Sequence, residues 1–428
     1  MPTVEGMLPI NFSLKRIFKL ACLGVSLFLF SASPYFSQQT LVETALVVNI
    51  EVPVRVFDGR GNFVNDLTID DFEVYEDGDR QKIDAVYLIK KNLIHRKEER
   101  KSLKPVTSRT FFLIFEIADY TPRLGLAIDD FVDNVLLPQD KLIVVTPQKT
   151  YRLKEMSIEV KRREEVAEEL KELLRSDTTM GASEYRSALR DLQELARTIT
   201  GFLLGDESGL SSAAGEVSIE IERLESLIIQ YASYLQKLEV LRQVDELKLI
   251  DFAHYLKSQE GQKYVFLFYQ REFIPQIEEK VWLQVAGLYQ SVGGIDLKQL
   301  TADILDLYKR DVSVDVERVK RAFADASTSV HFLYITEPPP NIAGVTFEER
   351  TSDIFAPFVE MARASGGFYE SSYNPRYLFL NALRAAENYY LLYYSPRKPI
   401  GEGEFRNIRV KVKKPGLRVI HRLGYFAY

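Results

Sequence analysis

The chain has 428 residues, of which 46% are hydrophobic and 27% are charged, and it carries a formal net charge of −6. This composition is typical of folded globular proteins, and the length suggests two or three domains. It excludes a mainly disordered chain, and the negative charge argues against nucleic acid as a partner. With one cysteine and four scattered histidines, the sequence has neither a disulfide framework nor a Cys- or His-based metal motif.

The start of the chain has the pattern of an export signal. A basic segment at 15–19 precedes an apolar run at 20–30, and small residues follow at 31–33. We therefore predict a signal peptide at residues 1–38 and an exported protein, periplasmic or extracellular. The alternative is an uncleaved leader that anchors the chain in a membrane, although the run is short for a span of about 20 residues.

Residues 41–92 are predicted to form a small β-rich domain. β-branched residues dominate at 47–56, and residues 72–76 alternate apolar and polar side chains, as a half-buried strand does. The acidic, glycine-containing stretch at 76–79 is typical of a hairpin turn. The basic stretch that follows, at 93–106, is predicted to be a solvated linker.

Residues 107–395 are predicted to form one α/β domain. Continuous apolar runs, which are typical of strands buried on both faces of a parallel sheet, lie at 110–115, 141–146, 264–269 and 329–335. Helical patterns alternate with these runs and indicate a doubly wound parallel sheet. Residues 396–428 are predicted to form a C-terminal β tail.

A helical-hairpin insertion is predicted between the second and third of these strands, at about 184–257. Apolar residues at 185–199 follow a helical period, and those at 221–238 are spaced 3-4-3-4-3, as in a coiled-coil seam. We expect this seam to be buried within the hairpin. Self-association of the chain through the seam, giving a homo-oligomer, is the alternative.

Several short segments stand in an order that is known from a protein family. They are Val52–Val56, Asp70–Gly78, Met361–Gly367, Tyr389–Pro396, Phe405–Val412 and Arg422–Tyr425. From about residue 47 to its end, the chain resembles the bacterial VWFA-related domain proteins, which are exported and have a short β-domain before a von Willebrand factor type A domain. The resemblance implies a von Willebrand factor A-like fold. Function has to be argued from the site, because one fold serves many functions.

The resemblance also implies a place for a metal. Type A domains often bind Mg²⁺ at the carboxyl ends of the sheet strands, through an Asp-x-Ser-x-Ser loop, a Thr and a further Asp. The corresponding positions here are Glu116, Ala118, Tyr120, Ser183 and Tyr269, with Thr178–Thr179 in place of Ser183 under a shifted alignment and Gln270 as an alternative to Tyr269.

Most of these positions lack a metal ligand. Ala118 and Tyr120 stand where two hydroxyl ligands belong, and a hard cation needs several oxygen ligands. We therefore predict a degenerate site with no metal and no other cofactor. A different metal site built from Glu116 and Asp119 is the alternative.

The sequence contains no pattern that indicates catalysis. A strand–Gly-x-Ser-x-Gly–helix turn and a glycine-rich phosphate loop are both absent from it. His254 lies on a predicted helix face and His331 lies in a predicted buried strand, where a core histidine is the expected role. Asp129 and Asp130 are adjacent on a predicted helix and so point to different faces. We predict no catalytic residues and no enzymatic activity.

We therefore expect an exported, non-enzymatic module that binds or assembles with an unknown protein partner. The candidate binding surface consists of Glu116, Asp119, Tyr120, Ser183, Tyr269 and Gln270. The first alternative is a structural envelope protein that self-associates through the helical insertion. A weaker alternative is a metal-dependent adhesin.

Overall fold

The structure is a computed structural model. It describes residues 49–153, 160–204, 214–241, 244–290, 297–308, 314–336, 338–349, 352–397 and 403–427, all within one compact unit of the chain. The predicted signal peptide lies outside the described residues. None of the helices in these ranges is long and apolar enough to span a membrane.

Strands account for much of the described chain. They are β1 (Ile50–Phe57), β2 (Phe72–Glu76), β3 (Asp79–Gln81), β4 (Ile83–Lys90), β5 (Leu93–Glu99), β6 (Arg109–Glu116), β7 (Lys141–Val145), β8 (Thr150–Leu153), β9 (Gln262–Gln270), β10 (Phe273–Ile277), β11 (Thr328–Ile335), β12 (Val345–Glu349), β13 (Tyr369–Ser372), β14 (Asn388–Tyr394), β15 (Phe405–Val412), β16 (Arg418–His421) and β17 (Gly424–Phe426).

Helices connect many of these strands. They are α1 (Pro122–Asn134), α2 (Arg163–Gly181), α3 (Ser183–Leu204), α4 (Ala214–Leu241), α5 (Glu246–Ser258), α6 (Glu279–Gln290), α7 (Leu297–Leu307), α8 (Val316–Asp325), α9 (Ser352–Ala364) and α10 (Pro375–Glu387). A short 3-10 helix, Ile69–Asp71, precedes β2.

The body of the molecule is a six-stranded sheet in the order β13-β11-β9-β6-β7-β8, parallel except for the edge strand β8. Helices α1, α2 and α10 cover one face, and α5, α8 and α9 cover the other. Because both faces are covered, every residue of β11 is buried, which explains the continuous apolar runs in the sequence. The predicted α/β class with a largely parallel sheet is confirmed.

Local sequence fixes the start of two helices, α1 and α5. The hydroxyl of Thr121 accepts a hydrogen bond from the Leu124 amide at 3.4 Å, and Pro122 occupies the first position of α1. The carboxylate of Asp245 accepts one from the Lys248 amide at 3.1 Å and so caps α5. Both caps satisfy amides that have no partner within the helix.

The turn between α9 and β13 requires glycine. Gly366 has a φ of +72°, in the left-handed region, and a Cβ on Gly367 would lie 1.7 Å from the carbonyl oxygen of Val330. The backbone of this turn therefore lies directly against β11. This close approach explains the Ser-Gly-Gly sequence that ends α9.

A β-sandwich built from both ends of the chain adjoins the body. One sheet has the order β16-β1-β14-β4-β5 and the other β17-β15-β2-β3, and both are antiparallel. Apolar side chains of the two sheets, among them Val54, Phe72, Tyr390 and Val410, form one shared core. The described parts of the predicted β-rich domain and of the predicted tail thus belong to a single sandwich.

Two predicted boundaries differ from the structure. We assigned residues 388–395 to the α/β domain, but β14 lies between β1 and β4 in the sandwich. It is apolar throughout because Tyr390 and Leu392 face the sandwich core, while Tyr389 and Leu391 face a second cluster on the other side. In the stretch predicted as a linker, residues 93–99 form the charged edge strand β5.

The sandwich contacts the body at the amino ends of the parallel strands of the six-stranded sheet. Glu51 of β1 accepts a hydrogen bond from the side-chain amide of Gln262, the first residue of β9, at 2.9 Å. Arg55 donates to Ser329 Oγ of β11 at 2.7 Å and to the Gly366 carbonyl at 2.6 Å. The carboxyl ends of the same strands lie at the opposite edge of the sheet.

The predicted helical insertion is part of a larger helical module. Five seam residues of α4 are buried: Leu224, Ile228, Tyr231, Leu235 and Leu238. The sixth, Ile221, has a side chain that is not among the described ones. The five buried residues pack against α3 and also against β10, β12, α6 and α7, which we did not expect to take part. Helix α5, which we included in the insertion, instead packs on the parallel sheet. The insertion therefore ends before α5.

Candidate functional site

A cavity of about 720 Å³ opens at the carboxyl ends of the parallel strands. It lies beside β6 and β9, and the chain runs from β6 outwards to β7 and returns across β6 to β9. Such a topological switch point is where open α/β sheets generally bind ligands, because the connections on its two sides diverge. The remaining walls come from α3, α5, α9 and the segment Pro338–Pro340.

Four of the six predicted surface residues line this cavity. They are Glu116, Asp119, Tyr269 and Gln270, and Ala118 lies beside them. Glu116 ends β6 directly opposite Tyr269 of β9, so the parallel register places both at the mouth of the sheet. The strand ends therefore bring together the residues that the sequence predicted to be neighbours.

The other two predicted residues lie elsewhere. Tyr120 turns towards the opposite face of the sheet, where the guanidinium of Arg175 lies 5.2 Å from its ring centroid. Ser183 is exposed, and its hydroxyl donates to the Met180 carbonyl at 2.7 Å. Neither residue lines the cavity, and neither does Thr178 or Thr179.

The loop after β6 is held in place by protein side chains. The side-chain oxygen of Gln270 accepts hydrogen bonds from the amides of Ala118 at 2.8 Å and Asp119 at 3.0 Å. From the other side, Arg186 of α3 donates to the Ala118 carbonyl at 3.1 Å and lies 3.4 Å from an Asp119 carboxylate oxygen. A glutamine and an arginine thus satisfy the polar groups of this loop.

This arrangement bears on the metal question. The Arg186 guanidinium contacts the Ala118 carbonyl oxygen and an Asp119 carboxylate oxygen, which a cation at this loop would need as ligands. A cation bound to the same oxygens would be repelled by the positive charge of Arg186. Asp119 is engaged by Arg186, which lies 3.4 Å from one of its carboxylate oxygens. Among the residues that the structure describes, no group of three or more His, Cys, Asp or Glu side chains could hold a metal ion.

Glu116 stands apart from the other acidic groups at the cavity. It accepts no hydrogen bond and forms no ion pair with any residue of the described ranges. Its side chain is open to the cavity yet surrounded by protein, and burial followed by the negative charge of Glu272 raises its pKa to about 7. The carboxyl group therefore faces the cavity without a compensating cation from the part of the chain that the structure describes.

Sequence reasoning missed five charged residues of the described cavity lining, Asp245 and Arg271 among them. Arg186 and Lys248 come from helices that are distant in sequence, and Glu272 follows β9 by two residues. Arg186 follows the predicted position Ser183 by three residues. Its contact with Ala118 depends on how α3 crosses the sheet edge, which no short-range pattern encodes.

The two histidines that we considered as catalytic bases lie away from the cavity. His331 is fully buried, and its ring stacks on Phe266 at a centroid distance of 4.8 Å. Burial lowers the pKa of His331 well below its usual value, so the ring is neutral. His254 is exposed on α5. Neither residue lines the cavity.

Comparisons with known proteins give one match. No family model matches the chain, and no curated protein matches it. Among solved structures, the chain is similar to the human COPII-coat protein Sec24c, with 10% sequence identity, a TM-score of 0.25, and coverage of 76% of this chain and 44% of that one. A likeness at this level indicates neither a shared site nor a shared function.

Proposed function

We propose that the chain is an exported, non-enzymatic module with a von Willebrand factor A-like domain, and that it binds a protein partner through the cavity at the carboxyl edge of its parallel sheet. Binding proceeds without a metal ion. The observation that carries the proposal is the loop after β6, whose amides and carbonyl are held by Gln270 and Arg186 at a ligand-binding edge of the fold.

The dimensions and walls of the cavity support a binding role. Its volume of about 720 Å³ falls within the range of known ligand sites. Apolar side chains such as Leu189, Phe252 and Phe358 form most of its lining, with a few charged groups at the sheet edge. Mixed walls of this kind combine apolar affinity with polar specificity.

The alternative of self-association through the helical insertion has less support. The described seam residues, from Leu224 to Leu238, are buried inside the helical module by α3, α6, α7, β10 and β12. A second copy of the chain would have to displace these elements to reach the seam. The export proposal rests on the leader pattern in the sequence.

Blocking the cavity tests the proposed function. In Leu189→Trp a larger side chain projects from α3 into the cavity, while Leu283→Trp, on the exposed face of α6, is a matched control. We expect envelope-extract proteins retained by the immobilised wild-type chain and by the control to be lost from Leu189→Trp. We expect the same retention in Mg²⁺ and in EDTA.

Folding has to be checked alongside, by the thermal transition of each variant. A second blocking variant, Leu249→Trp on α5, fills the cavity from another wall. It shows whether a loss of retention in Leu189→Trp comes from filling the cavity or from a local change in α3. Retention that survives both blocking variants in folded protein would refute the cavity as the binding site. Retention that EDTA abolishes would favour the metal-dependent adhesin instead.

A further inference from the structure

We propose that the cavity receives a lysine side chain of the partner protein, with its ammonium group on the carboxylate of Glu116. This inference rests on the proposed function and names the chemistry of the partner. It follows from the charge of Glu116 at the sheet edge, the apolar side chains that line the cavity and the exposed apolar side chains beside it.

The charge at the sheet edge calls for a cation. Glu116 has no ion pair or hydrogen bond among the described residues, and its carboxylate is open to the cavity beside the negative charge of Glu272. The cations that border the cavity have other contacts: Arg186 lies against Asp119, Lys248 against Asp245 and Arg271 against Glu349. A positive group supplied from outside would therefore meet Glu116 without competition from these ion pairs.

The walls suit a lysine better than an arginine. A lysine has four methylene groups, which bury well along apolar side chains such as Ile117, Leu249 and Phe252 while the ammonium reaches a carboxylate. Arginine presents five donors in a rigid fork, and most of these would stay unsatisfied between apolar walls. One compact ammonium matches one carboxylate that has no ion pair within the described ranges.

The surface beside the cavity favours a polypeptide over a small free amine. A second cavity of about 610 Å³ shares Val244, Asp245 and Lys248 with the first. It includes Val240 and Leu247, whose side chains are 72% and 63% exposed. Charged side chains such as Glu246 and Arg318 surround these two apolar ones, so the surface combines apolar area with polar groups. Residues flanking an inserted lysine would reach it because the two cavities adjoin, and burying Val240 and Leu247 would add affinity.

Three capped pentapeptides test the proposal. The first is Ac-Ser-Leu-Lys-Leu-Ser-NH2, and the other two have norleucine or glutamate in place of lysine. At pH 8, where the Glu116 carboxyl is mainly ionised, calorimetry on the full chain should give a dissociation constant for the lysine peptide that is lower by roughly tenfold than that for the norleucine peptide. The glutamate peptide should bind weakest.

Glu116→Gln should remove the preference for lysine over norleucine. Glu348→Gln, on the exposed strand β12 away from the cavity, should keep it. Leu189→Trp should weaken both peptides. Equal binding of the lysine and norleucine peptides to the wild type, or a preference that survives Glu116→Gln, would overturn the lysine proposal.

Two further outcomes separate this inference from the proposed function. Partner retention that Leu189→Trp abolishes, without a lysine preference, would leave the cavity as a binding site and refute only the ligand chemistry. Binding of n-octylammonium at Glu116 without binding of the lysine peptide would identify a small-amine site and refute the polypeptide source.

Discussion

A glutamate stands at each end of the parallel sheet, and the two have opposite surroundings. At the amino end, Glu51 accepts hydrogen bonds from Gln262 and from the Tyr393 hydroxyl, so both carboxylate oxygens have protein partners. At the carboxyl end, Glu116 has no such partner among the described residues and faces a cavity. The first joins two parts of the fold, and the second is available to a ligand.

The difference extends to the cations nearby. At the amino end, Arg55 is buried and donates to Ser329 and Gly366, and the guanidinium of Arg422 donates to the Glu51 carbonyl at 2.7 Å. At the carboxyl end, the described cations that border the cavity pair with other carboxylates: Arg186 with Asp119, Lys248 with Asp245 and Arg271 with Glu349. At one end of the sheet, hydrogen bonds between polar groups thus join the sandwich to the body. At the other end, the Glu116 carboxylate gives the cavity a negative charge that favours a cationic ligand.

The largest expected effect comes from the amino end. Arg109 and Asp140 form a buried ion pair, with Arg109 Nε 2.9 Å from Asp140 Oδ1, and Asp140 also accepts the Leu137 amide at 2.7 Å. Asp140→Ala leaves a buried guanidinium without its carboxylate, so we expect a loss of about 3–5 kcal/mol in the free energy of unfolding.

Urea unfolding followed by tyrosine fluorescence measures this loss. Asp133→Ala, in an exposed position at the end of α1, is the matched control and should change stability by no more than about 0.5 kcal/mol. A similar small effect for Asp140→Ala would show that the amino end does not depend on this pair.

A smaller effect is expected where the sandwich meets the body. Arg55→Met keeps much of the apolar stem but removes the hydrogen bonds to Ser329 and Gly366. Because Gly366 and Ser329 lose a buried donor, we expect unfolding to become easier by about 1–3 kcal/mol. Arg60→Met, at an exposed turn, is the control; an Arg55→Met variant as stable as this control would refute the role of Arg55.

At the carboxyl end we expect a substitution to stabilise the protein, whereas the two substitutions at the amino end destabilise it. Burial and Glu272 raise the pKa of Glu116 to about 7, so the folded state holds this proton more tightly than the unfolded state does. The stability contribution of Glu116 is therefore complete below its unfolded pKa, near 4.5, and is lost as the pH rises through about 7. Glu116→Gln removes this loss.

We thus expect Glu116→Gln to have a higher melting temperature than the wild type at pH 8, and the difference to shrink towards pH 5. Glu348→Gln provides the control, and Glu272→Gln reports the part that comes from the neighbouring charge. A difference between Glu116→Gln and the wild type that stays constant with pH would contradict the unpaired state of Glu116.

The smallest expected effect is that of Mg²⁺. A cation that binds the folded state raises its melting temperature by mass action. With Arg186 and Gln270 holding the loop after β6, we expect no change in melting temperature on adding millimolar Mg²⁺ or Mn²⁺. Micromolar binding by calorimetry that Glu116→Ala removes would refute the degenerate site.

Much of the body could be predicted because burial on both faces leaves a continuous apolar run in each central strand. The same logic misplaced β14, whose run Tyr389–Tyr394 is equally apolar. Its residues face two different clusters in the sandwich, and a run alone does not reveal which sheet a strand joins. The second part of the helical module was missed since β10 and β12 pair across a long separation in sequence.

The sequence predicted those residues of the candidate site that lie at the ends of strands. Glu116, Tyr269 and Gln270 lie together because the register of β6 and β9 fixes them. Tyr120 lies in a loop, where the side-chain direction depends on packing against Arg175. Ser183 starts the wall helix α3, but its exposed hydroxyl bonds to the Met180 carbonyl and does not line the cavity. Arg186 and Lys248 reach the site through helix positions that only the folded chain defines.

The state of Glu116 is the central claim, and carboxyl carbon NMR on glutamate-labelled protein measures it directly, with Glu116→Gln to assign the resonance. We expect a pKa of about 7 in the free protein and a lower value once the lysine pentapeptide is bound, because an ammonium stabilises the ionised carboxylate. A value near 4.5 in the free protein, unchanged by the peptide, would contradict the account.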